Sequence, residues 1–453
     1  MEELLDDVLL MVMSYLDVPD LLACRLVCKR IGDLVLHPDV WRRRYFVFGS
    51  SRDEDSTVLR FAPRLEYLSI QLPCSSRQLH LYTATMCAVS ELKLCLGPMG
   101  SAGMAYAAAL IIRNQESLGR LQELEVDFYP ERGGAALTYP LLWALAYTSG
   151  LRTLVVYTSG DICDMIPAPY LVRNVPRPTL KSIHFTISEE AVPFCEFMLA
   201  AHAPTLEKVN FHSCVDFFTP ALPSATSMAS LLAGMPHLRL LEDCPLIPEM
   251  EALAACKSLR TVSICVGVGS RPLVPAGAEF LRRTKELRHV TLKYNADIGD
   301  VGVDLVLALG SSVESLHIQF TELYLEKAMP QVQALSRALP RMPAVKWLTL
   351  PMTSREVLLA ITPEANPALR TLELYQGELE SEGCAHRYLH WDSVVTVLSK
   401  NPLLELGVHA TYRCSGKLLC DWCKLECHRE VWKLEQQVRP WPRMITIPRL
   451  KPF

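Results

Sequence analysis

The sequence predicts an α/β solenoid, with parallel strands on a concave face and helices on a convex face, preceded by a small domain of three short helices. Two observations along the 453 residues predict the solenoid: a short apolar pattern that returns at intervals, and helical patterns between its copies. A third observation separates the N-terminal domain, because the first fifty residues contain no copy of the repeat.

The N-terminal domain, residues 1–50, consists of three predicted helices. Their apolar stripes are Val8, Leu9, Val12 and Leu16 in the first helix, Leu21, Leu22, Leu26 and Val27 in the second, and Trp41 with Tyr45 in the third. Asp17 and Pro19 end the first helix and start the second, while Asp39 caps the third. So small a domain cannot bury all of its apolar side chains alone, so we expect some of them to contact another surface.

Residues 4–46 resemble the F-box, the motif by which substrate receptors of cullin–RING ubiquitin ligases bind a Skp-family adaptor. The matching positions are Leu4, Val8, Tyr15–Leu16, Asp20–Leu21, Val27–Cys28–Lys29 and Trp41. Leu5 stands where the family usually has Pro, and Ile31 where it often has Trp. The resemblance implies an adaptor-binding surface formed by Leu4, Val8, Leu9, Val12, Leu16, Leu21, Leu22, Val27 and Trp41. In the alternative interpretation, these helices only cap the N-terminal end of the solenoid.

A polar junction, residues 51–64, leads to the repeats. Each repeat has apolar residues at its first, fourth and sixth positions, as in "LRTLVV" at 151 and "LRTLEL" at 369. Thirteen copies, on average about 28 residues apart, start at residues 65, 89, 121, 151, 180, 206, 238, 259, 287, 313, 345, 369 and 403. The one copy without all three apolar residues has Asp243 at its sixth position. The apolar alternation predicts one strand per copy, and segments such as 301–313 and 331–345 have the pattern of the intervening helices.

A strand and a helix at this period resemble the leucine-rich-repeat family, over residues 65–411. The family often places Asn or Cys eight residues after the first Leu, and only Cys214 and Asn295 do so here. The resemblance implies a solenoid over 65–412, with about 13 degenerate repeats, followed by a C-terminal cap and tail at 413–453.

The strand register also predicts which side chains lie on the concave face, because residues two, four and six places after the first Leu point there. This face is acidic in the early repeats, while histidines and lysines follow in the middle ones. The candidate substrate-binding residues are Glu123, Glu125, Tyr157, His184, His212, His289, His317, Trp347 and Tyr375. We interpret them as a protein-recognition surface, because no oriented third group accompanies the histidines as in a catalytic site.

Composition narrows the class of protein. Half of the residues are apolar and the formal charge is −4, which gives no field that would favour nucleic acid. The acidic start "MEELLDDVLL" lacks the basic region of a secretory signal, and the uncharged stretch 133–151 contains Pro140 and fits a helix of the repeat better than a membrane span. We therefore expect no membrane partner, and expect the sixteen cysteines to be reduced in the cytoplasm or nucleus.

A cysteine cluster near the C-terminus is the single candidate metal site. It consists of Cys414, Cys420, Cys423, Cys427 and His428, a ligand set sufficient for tetrahedral zinc. Its spacing matches no standard finger, and a buried helix face with reduced thiols explains it as well, so no cofactor is predicted and zinc is the alternative. The tail, 439–453, is basic and interrupted by prolines, which predicts an extended course along the last repeats.

The two resemblances together imply a non-catalytic substrate receptor of a ubiquitin ligase. Its N-terminal domain would bind the Skp adaptor, and through it the cullin–RING ligase, and its repeats an unidentified protein substrate. The glycine-rich segment 97–103 has neither G-x-G-x-x-G spacing nor a Walker lysine, so nucleotide chemistry is not indicated. The alternative function is a leucine-rich-repeat scaffold without a role in ubiquitin transfer. A third interpretation is an enzyme or zinc-dependent redox protein centred on residues 414–428.

Overall fold

A computed structural model describes most of the chain. The described residues are 4–48, 53–97, 102–128, 135–158, 177–187, 191–212, 225, 227–267, 269–295, 299–320, 330–351, 355–375, 390–409 and 444–447. They belong to two compact units, Met1–Cys214 and Val215–Phe453. Each unit contains its own run of parallel strands connected by helical segments.

The first unit begins with short helices and continues as alternating strands and helices. Its helices are α1 (Asp6–Tyr15), α2 (Val18–Cys24), α3 (Lys29–Val35), α4 (Pro38–Trp41), α5 (Asp53–Phe61), α6 (Ser76–Ala84), α7 (Ala102–Ser117), α8 (Ala135–Tyr147) and α9 (Val192–His202). Its strands are β1 (Tyr45–Phe48), β2 (Arg64–Leu72), β3 (Ala88–Leu96), β4 (Glu123–Phe128), β5 (Thr153–Thr158), β6 (Ser182–Thr186) and β7 (Lys208–His212). Each strand pairs in parallel with the next one along the chain.

The second unit repeats this plan. Its helices are α10 (Met228–Ala233), α11 (Val274–Arg283), α12 (Val303–Leu307), α13 (Pro330–Ala338), α14 (Arg355–Ala360) and α15 (Asp392–Lys400), with 3-10 turns at Met250–Ala255, Arg271–Leu273 and Leu339–Arg341. Its strands are β8 (Leu240–Pro245), β9 (Thr261–Val266), β10 (His289–Tyr294), β11 (Ser315–Phe320), β12 (Trp347–Pro351), β13 (Thr371–Tyr375), β14 (Glu405–His409) and β15 (Met444–Ile447). Strands β8 to β14 pair in parallel in chain order.

The predicted α/β solenoid is confirmed by this order of strands and helices. Alternate strand residues are buried, and Leu372 and Leu374, predicted to face the core, are each 1% exposed. Helices that follow each other in the chain are in contact, for example α7 with α8 and α12 with α13. Strand β15 pairs antiparallel with β14, so the predicted course of the tail along the edge of the sheet is confirmed for Met444–Ile447.

The repeat that lacks its third apolar residue contains a β-bulge. Leu241 pairs with Val262 and Cys244 pairs with Ile264, so two residues of β8 lie opposite one residue of β9. Asp243 takes up the extra length with a left-handed backbone, φ +52°. Cys244 is fully buried in its place. The irregular sequence at 238–243 thus corresponds to an irregular strand that still fills the core.

The N-terminal helices differ from the prediction in number and at their C-terminal end. Within residues 4–48 the structure has four short helices where three were predicted, and His37, not Asp39, caps α4. Trp41 and Tyr45 were predicted on one face of a third helix, whereas the structure ends α4 at Trp41 and places Tyr45 at the start of β1. The sequence "YFVF" has the aromatic and β-branched composition of a strand, and Tyr45 pairs with Tyr67 of β2. Backbone pairing with β2 therefore overrides the helical spacing. The Asp17 side chain accepts a hydrogen bond from the Asp20 N–H at 2.9 Å, which confirms the predicted start of α2.

Within the described residues, no helix combines the length and apolar character that crossing a membrane requires.

Candidate functional site

An ion-pair network connects strands β3 and β4 of the first unit through Lys93, Glu125 and Asp127. Lys93 Nζ lies 2.6 Å from Glu125 Oε1 and 3.0 Å from Asp127 Oδ2. Partial burial lowers the pKa of Lys93, but its hydrogen bonds to the two carboxylates outweigh this and raise the pKa above its ordinary value. The predicted candidate Glu125 is therefore already engaged by a neighbouring cation.

Carboxylates crowd the beginning of the same strands. Glu91 on β3 lies directly opposite Glu123 on β4, and Glu123 is exposed. Burial, followed by the charges of Glu123 and Glu66, raises the pKa of Glu91. A partner that brings positive charge to this region would relieve the repulsion among these carboxylates.

The aromatic candidates of the first unit contact each other. The Tyr157 ring meets the edge of the His212 ring, with centroids 5.1 Å apart. Ser182 Oγ and His184 Nε2 are 3.0 Å apart on the next strand. His184 lies opposite Asn210 and His212 opposite Thr186, so the two histidines occupy adjacent strands two residues out of register.

In the second unit, three predicted residues come together at the start of neighbouring strands. The rings of His317 and Trp347 stack with centroids 6.5 Å apart, and His317 Nε2 lies 3.0 Å from Ser315 Oγ. Trp347 is 40% exposed, and His289 is exposed on the strand beside Ser315. This group offers an aromatic surface of the kind that contributes strongly to protein interfaces.

Two residues that the strand register placed in solvent are structural. Glu373 is only 6% exposed, and its Oε2 accepts a hydrogen bond from Thr349 Oγ1 at 3.1 Å. The Tyr375 hydroxyl donates to Ile318 O and accepts from Phe320 N, both at 2.9 Å. Tyr375 is half-buried, and its polar end is occupied by backbone groups. Both side chains were predicted to point away from the core. Glu373 is instead buried, because the neighbouring strand lies close enough for Thr349 to bond its carboxylate.

The candidate zinc ligands Cys414, Cys420, Cys423, Cys427 and His428 lie outside the described residues. In the part of the chain that the structure does describe, no three or more His, Cys, Asp and Glu side chains are grouped to hold a metal ion.

Helix α1 is apolar on two sides. Leu9 and Met13 are buried, and the helix contacts α3 and α4. Most other apolar side chains of the helix and of the two residues before it are exposed: Leu4, Leu5, Val8, Met11, Val12 and Tyr15. Leu10 is half-buried. A helix that is apolar on two sides normally has another surface covering the side that its own domain leaves exposed. The exposed residues of α1 have the spacing of one helix face. Leu26 and Val27, after α2, are exposed as well.

Comparison with known proteins agrees with this geometry at the N-terminus. A family model described as F-box-like matches residues 5–47. This segment is an F-box-like domain. The repeated strands and helices that follow it make the protein an F-box-like domain joined to a leucine-rich-repeat solenoid. A search of curated protein sequences gave no significant match.

Solved structures similar to the chain include the following two. One is a chain of the yeast Rad7 and Elc1 complex, with 17% identity, a TM-score of 0.42, and coverage of 88% of this chain and 92% of that chain. Another is the leucine-rich repeat-containing protein LegL7 from Legionella pneumophila, with 13% identity, a TM-score of 0.39, and coverage of 73% and 97%.

The F-box-like domain buries three of the residues that were predicted to bind the adaptor. Leu21 and Trp41 are 0% exposed, and Leu9 is buried beside Met13. Trp41 Nε1 donates to Val35 O at 2.6 Å, which fixes the indole inside the domain. These three residues build the domain core, because a domain this small needs its largest side chains inside. Leu16 and Leu22 are half-buried, while Leu4, Val8, Val12 and Val27 are exposed as an interface requires.

Sequence reasoning missed the most exposed apolar residues of the F-box-like domain. Tyr15 is 84% and Leu26 86% exposed, and Leu5 and Met11 are also largely exposed. The helical spacing in α1 could have identified one exposed face, because Leu5, Val8, Val12 and Tyr15 lie three, four and three residues apart. Met11 lies beside this stripe. The predicted stripe included Leu9 and Leu16 instead, which lie on the side of the helix that faces the domain interior.

The F-box-like domain is joined to the first repeats through several contacts. Strand β1 pairs with β2, and the Arg25 guanidinium lies 3.6 Å from the centre of the Phe61 ring in α5. Arg44 donates to Val40 O at 2.9 Å and to Met13 O at 3.0 Å, which connects α4 to α1 beside β1. The domain and the first strands therefore belong to one compact unit, Met1–Cys214.

Proposed function

We propose that the protein is a substrate receptor of a cullin–RING ubiquitin ligase. The F-box-like domain binds a Skp-family adaptor, as in the SCF type of ligase, and the leucine-rich-repeat solenoid binds the substrate protein. The receptor itself performs no bond-making step. It raises the effective concentration of a substrate lysine near the ubiquitin-conjugating enzyme that the ligase recruits.

The observation that carries this proposal is the exposed apolar stripe of α1 in a segment that matches the F-box-like family. Burying one large apolar side chain contributes about 1.5–3 kcal/mol, so four or five of them supply much of the free energy of a stable interface. Leaving them in water has no evident benefit for a monomeric domain. An apolar adaptor surface is the partner that this stripe fits.

The alternative function, a scaffold whose helices only cap the solenoid, accounts for fewer of the exposed residues. A cap explains the contacts of Arg25 with Phe61 and of β1 with β2. It does not explain why Val8, Val12 and Tyr15 are exposed on the helix while Leu9 and Met13 are buried. The stripe is directed away from the contacts that a cap would use.

The joint between the F-box-like domain and the repeats suits the positioning role. Strand pairing and the Arg25–Phe61 contact limit motion between the adaptor-binding helix and strand β2. A substrate bound on the first unit would therefore keep a defined distance from the adaptor. Small misplacements of reacting groups reduce rates strongly, so such a joint favours transfer to particular lysines.

The proposed compartment is the cytoplasm or nucleus. Nine cysteines in the described ranges are free thiols, several of them buried, as expected in a reducing environment. The proposed substrate is a protein and not a nucleic acid, because the chain carries a formal charge of −4.

The test compares two matched single variants of α1 in co-purification with a Skp-family adaptor. Val12→Asp places a carboxylate in the exposed apolar stripe, whereas Ser14→Asp places one on the same helix at an exposed polar position. We expect Val12→Asp to abolish co-purification and Ser14→Asp to retain it, with equal melting temperatures for both. Retention of the adaptor by Val12→Asp would refute the receptor proposal and leave the scaffold.

A further inference from the structure

A row of basic residues lies along one edge of the second unit. Its members immediately precede strands β8, β9, β10, β12 and β13 and are all exposed: Arg239, Arg260, Arg288, Lys346 and Arg370. We call this row the basic edge. The strand start between Arg288 and Lys346 carries Glu314. At the corresponding position before β14, Leu404 is buried, so the row ends at Arg370.

Backbone hydrogen bonds hold the basic edge in register. Arg260 N donates to Arg239 O at 3.0 Å, Arg288 N to Arg260 O at 2.9 Å, and Arg370 N to Lys346 O at 2.9 Å. Neighbouring strands lie about 4.8 Å apart, so the row extends for roughly 24 Å, the length of about seven residues of extended peptide. The backbone positions from which the basic side chains project are therefore fixed by the sheet.

Glu314 neutralises only part of this charge. Its Oε2 lies 2.6 Å from Lys346 Nζ and its Oε1 lies 3.6 Å from Arg288 Nε. Its hydrogen bond to Lys346 lowers the pKa of Glu314, so the carboxylate stays ionised. One carboxylate thus stands among five cations. The excess positive charge concentrates at Arg239, Arg260 and Arg370.

Two of the guanidinium groups, those of Arg260 and Arg370, are oriented by their own turns. Arg260 Nη1 donates to Lys257 O at 2.8 Å and Leu259 O at 3.0 Å. Arg370 Nη1 donates in the same way to Pro367 O and Leu369 O, both at 2.9 Å. These bonds use one nitrogen of a group that has five N–H donors. An oriented guanidinium loses less conformational entropy when it binds a carboxylate or a phosphoryl group.

Two further lysines strengthen the central part of the row. Lys257 and Lys285 are exposed three residues before Arg260 and Arg288, so two consecutive repeats each contribute a lysine and an arginine. Glu286, in the turn after Lys285, is half-buried. The exposed Trp347 lies at the first position of β12, next to Lys346, and adds an aromatic contact to the edge.

We propose that the basic edge binds an extended acidic segment of a protein, whose carboxylates or phosphoryl groups pair with the arginines. The inference deepens the proposed receptor function and rests on it, because it names the chemistry of the substrate segment. Charge complementarity selects an acidic partner, and the planar arginine forks match both anionic groups. The formal charge of −4 on the whole chain disfavours the long-range attraction that nucleic acid binding requires.

The experiment measures fluorescence anisotropy of labelled probes with the full chain. The peptide probes alternate Gly with Glu, with phosphoserine or with Ser, and are about ten residues long so that they exceed the row. An oligothymidine of similar length tests the nucleic acid outcome. We expect the Glu or the phosphoserine peptide to bind and the Ser peptide not to bind, and the comparison of the first two identifies the anion.

The variant Arg260→Glu/Arg288→Glu should weaken this binding by at least about tenfold, since it replaces two cations that pair with the acidic groups by two carboxylates that repel them. Its control, Arg282→Glu/Arg283→Glu, makes the same charge change on α11, where both arginines pair with Glu279. The control should bind like the unaltered chain. Equal loss in both variants, no preference for acidic peptides, or tighter binding of oligothymidine would each overturn the proposal. Adaptor co-purification by the same variants separates this result from a failure of the receptor function.

Discussion

The Tyr375 hydroxyl takes the hydrogen-bonding place that Pro351 leaves empty. The register pairs Pro351 of β12 with Tyr375 of β13. On the other side of β12, Trp347 N donates to Glu314 O. If this parallel pattern continued along the strand, the backbone nitrogen of residue 351 would donate to Ile318 O. Proline has no N–H, and pairing between β11 and β12 ends at His317–Thr349.

The tyrosine serves both backbone groups that this ladder loses on β11. Its hydroxyl donates to Ile318 O and accepts from Phe320 N, each at 2.9 Å. Burial raises the pKa of Tyr375, so the hydroxyl stays protonated and can donate to Ile318 O. Tyr375 therefore reaches across β12 and joins β13 to β11.

This relationship predicts that Tyr375→Phe destabilises the second unit. The substitution keeps the ring but removes the partner of two backbone groups, so we expect a loss of about 1–3 kcal/mol in the free energy of unfolding. Denaturant melts measure it. Pro351→Ala returns an N–H to β12, so Tyr375→Phe should be less harmful in that background. Equal losses in the two backgrounds would show that the hydroxyl does not substitute for the proline.

A second prediction concerns Leu372, which lies in the core beside Leu348 and Leu406 in the register of β12, β13 and β14. Leu372→Ala should lower the free energy of unfolding by about 2–5 kcal/mol, because the flanking strands cannot close over the cavity. The matched control is Thr371→Ala, one residue earlier and half-buried, with an expected change within about 0.5 kcal/mol. A silent Leu372→Ala would contradict the strand register.

The sequence predicted Leu372 and Leu374 correctly because burial on one face of a strand leaves a period of two. It could not predict the role of Tyr375, which depends on the alignment of three strands that are distant in the chain. The bulge at Asp243 was visible only as an interruption of the repeat. A left-handed backbone and the contact of Asp243 with Lys293, 2.6 Å, convert that interruption into an ion pair across the sheet.

The F-box-like domain shows a second limit of the sequence. Leu9 and Val12 both follow helical apolar spacing, yet Leu9 is buried and Val12 is exposed. A helix with two apolar sides does not reveal which side meets its own domain, since that depends on where α3 and α4 pack. Leu21 and Trp41 were assigned to the adaptor interface through the resemblance to the F-box, which does not show which side chains the domain keeps for its own core.

The third prediction separates core from interface in that domain. Trp41→Ala should remove about 3–5 kcal/mol of stability, because it empties a fully buried site and leaves Val35 O without the indole donor. Val12→Ala should leave stability within about 0.5 kcal/mol. Limited proteolysis of residues 4–48 together with thermal melts measures both. If Trp41→Ala melted like the unaltered chain, the tryptophan would belong to a surface and not to the core.

The fourth prediction is a pH dependence that originates at His202. This side chain is buried at the end of α9, and its Nδ1 accepts hydrogen bonds from Thr179 N at 3.3 Å and Leu180 N at 3.5 Å. Burial lowers the pKa of His202 to about 4, and protonation of Nδ1 would also break both contacts. The folded first unit therefore holds a neutral imidazole.

The sign of the effect follows from the lower pKa in the folded state. Above about pH 6.5, His202 is neutral in both states and its full contribution to stability is present. Below that pH the unfolded chain takes up a proton first, so stability falls until the pH reaches about 4, by on the order of 3 kcal/mol. In His202→Gln no side chain titrates at position 202, so this variant should lose the part of the pH dependence of stability that His202 causes. His212→Gln changes an exposed histidine and should keep that part. Denaturant melts between these two pH values compare the three chains. Identical slopes for the unaltered chain and His202→Gln would show that the buried imidazole is not the group responsible.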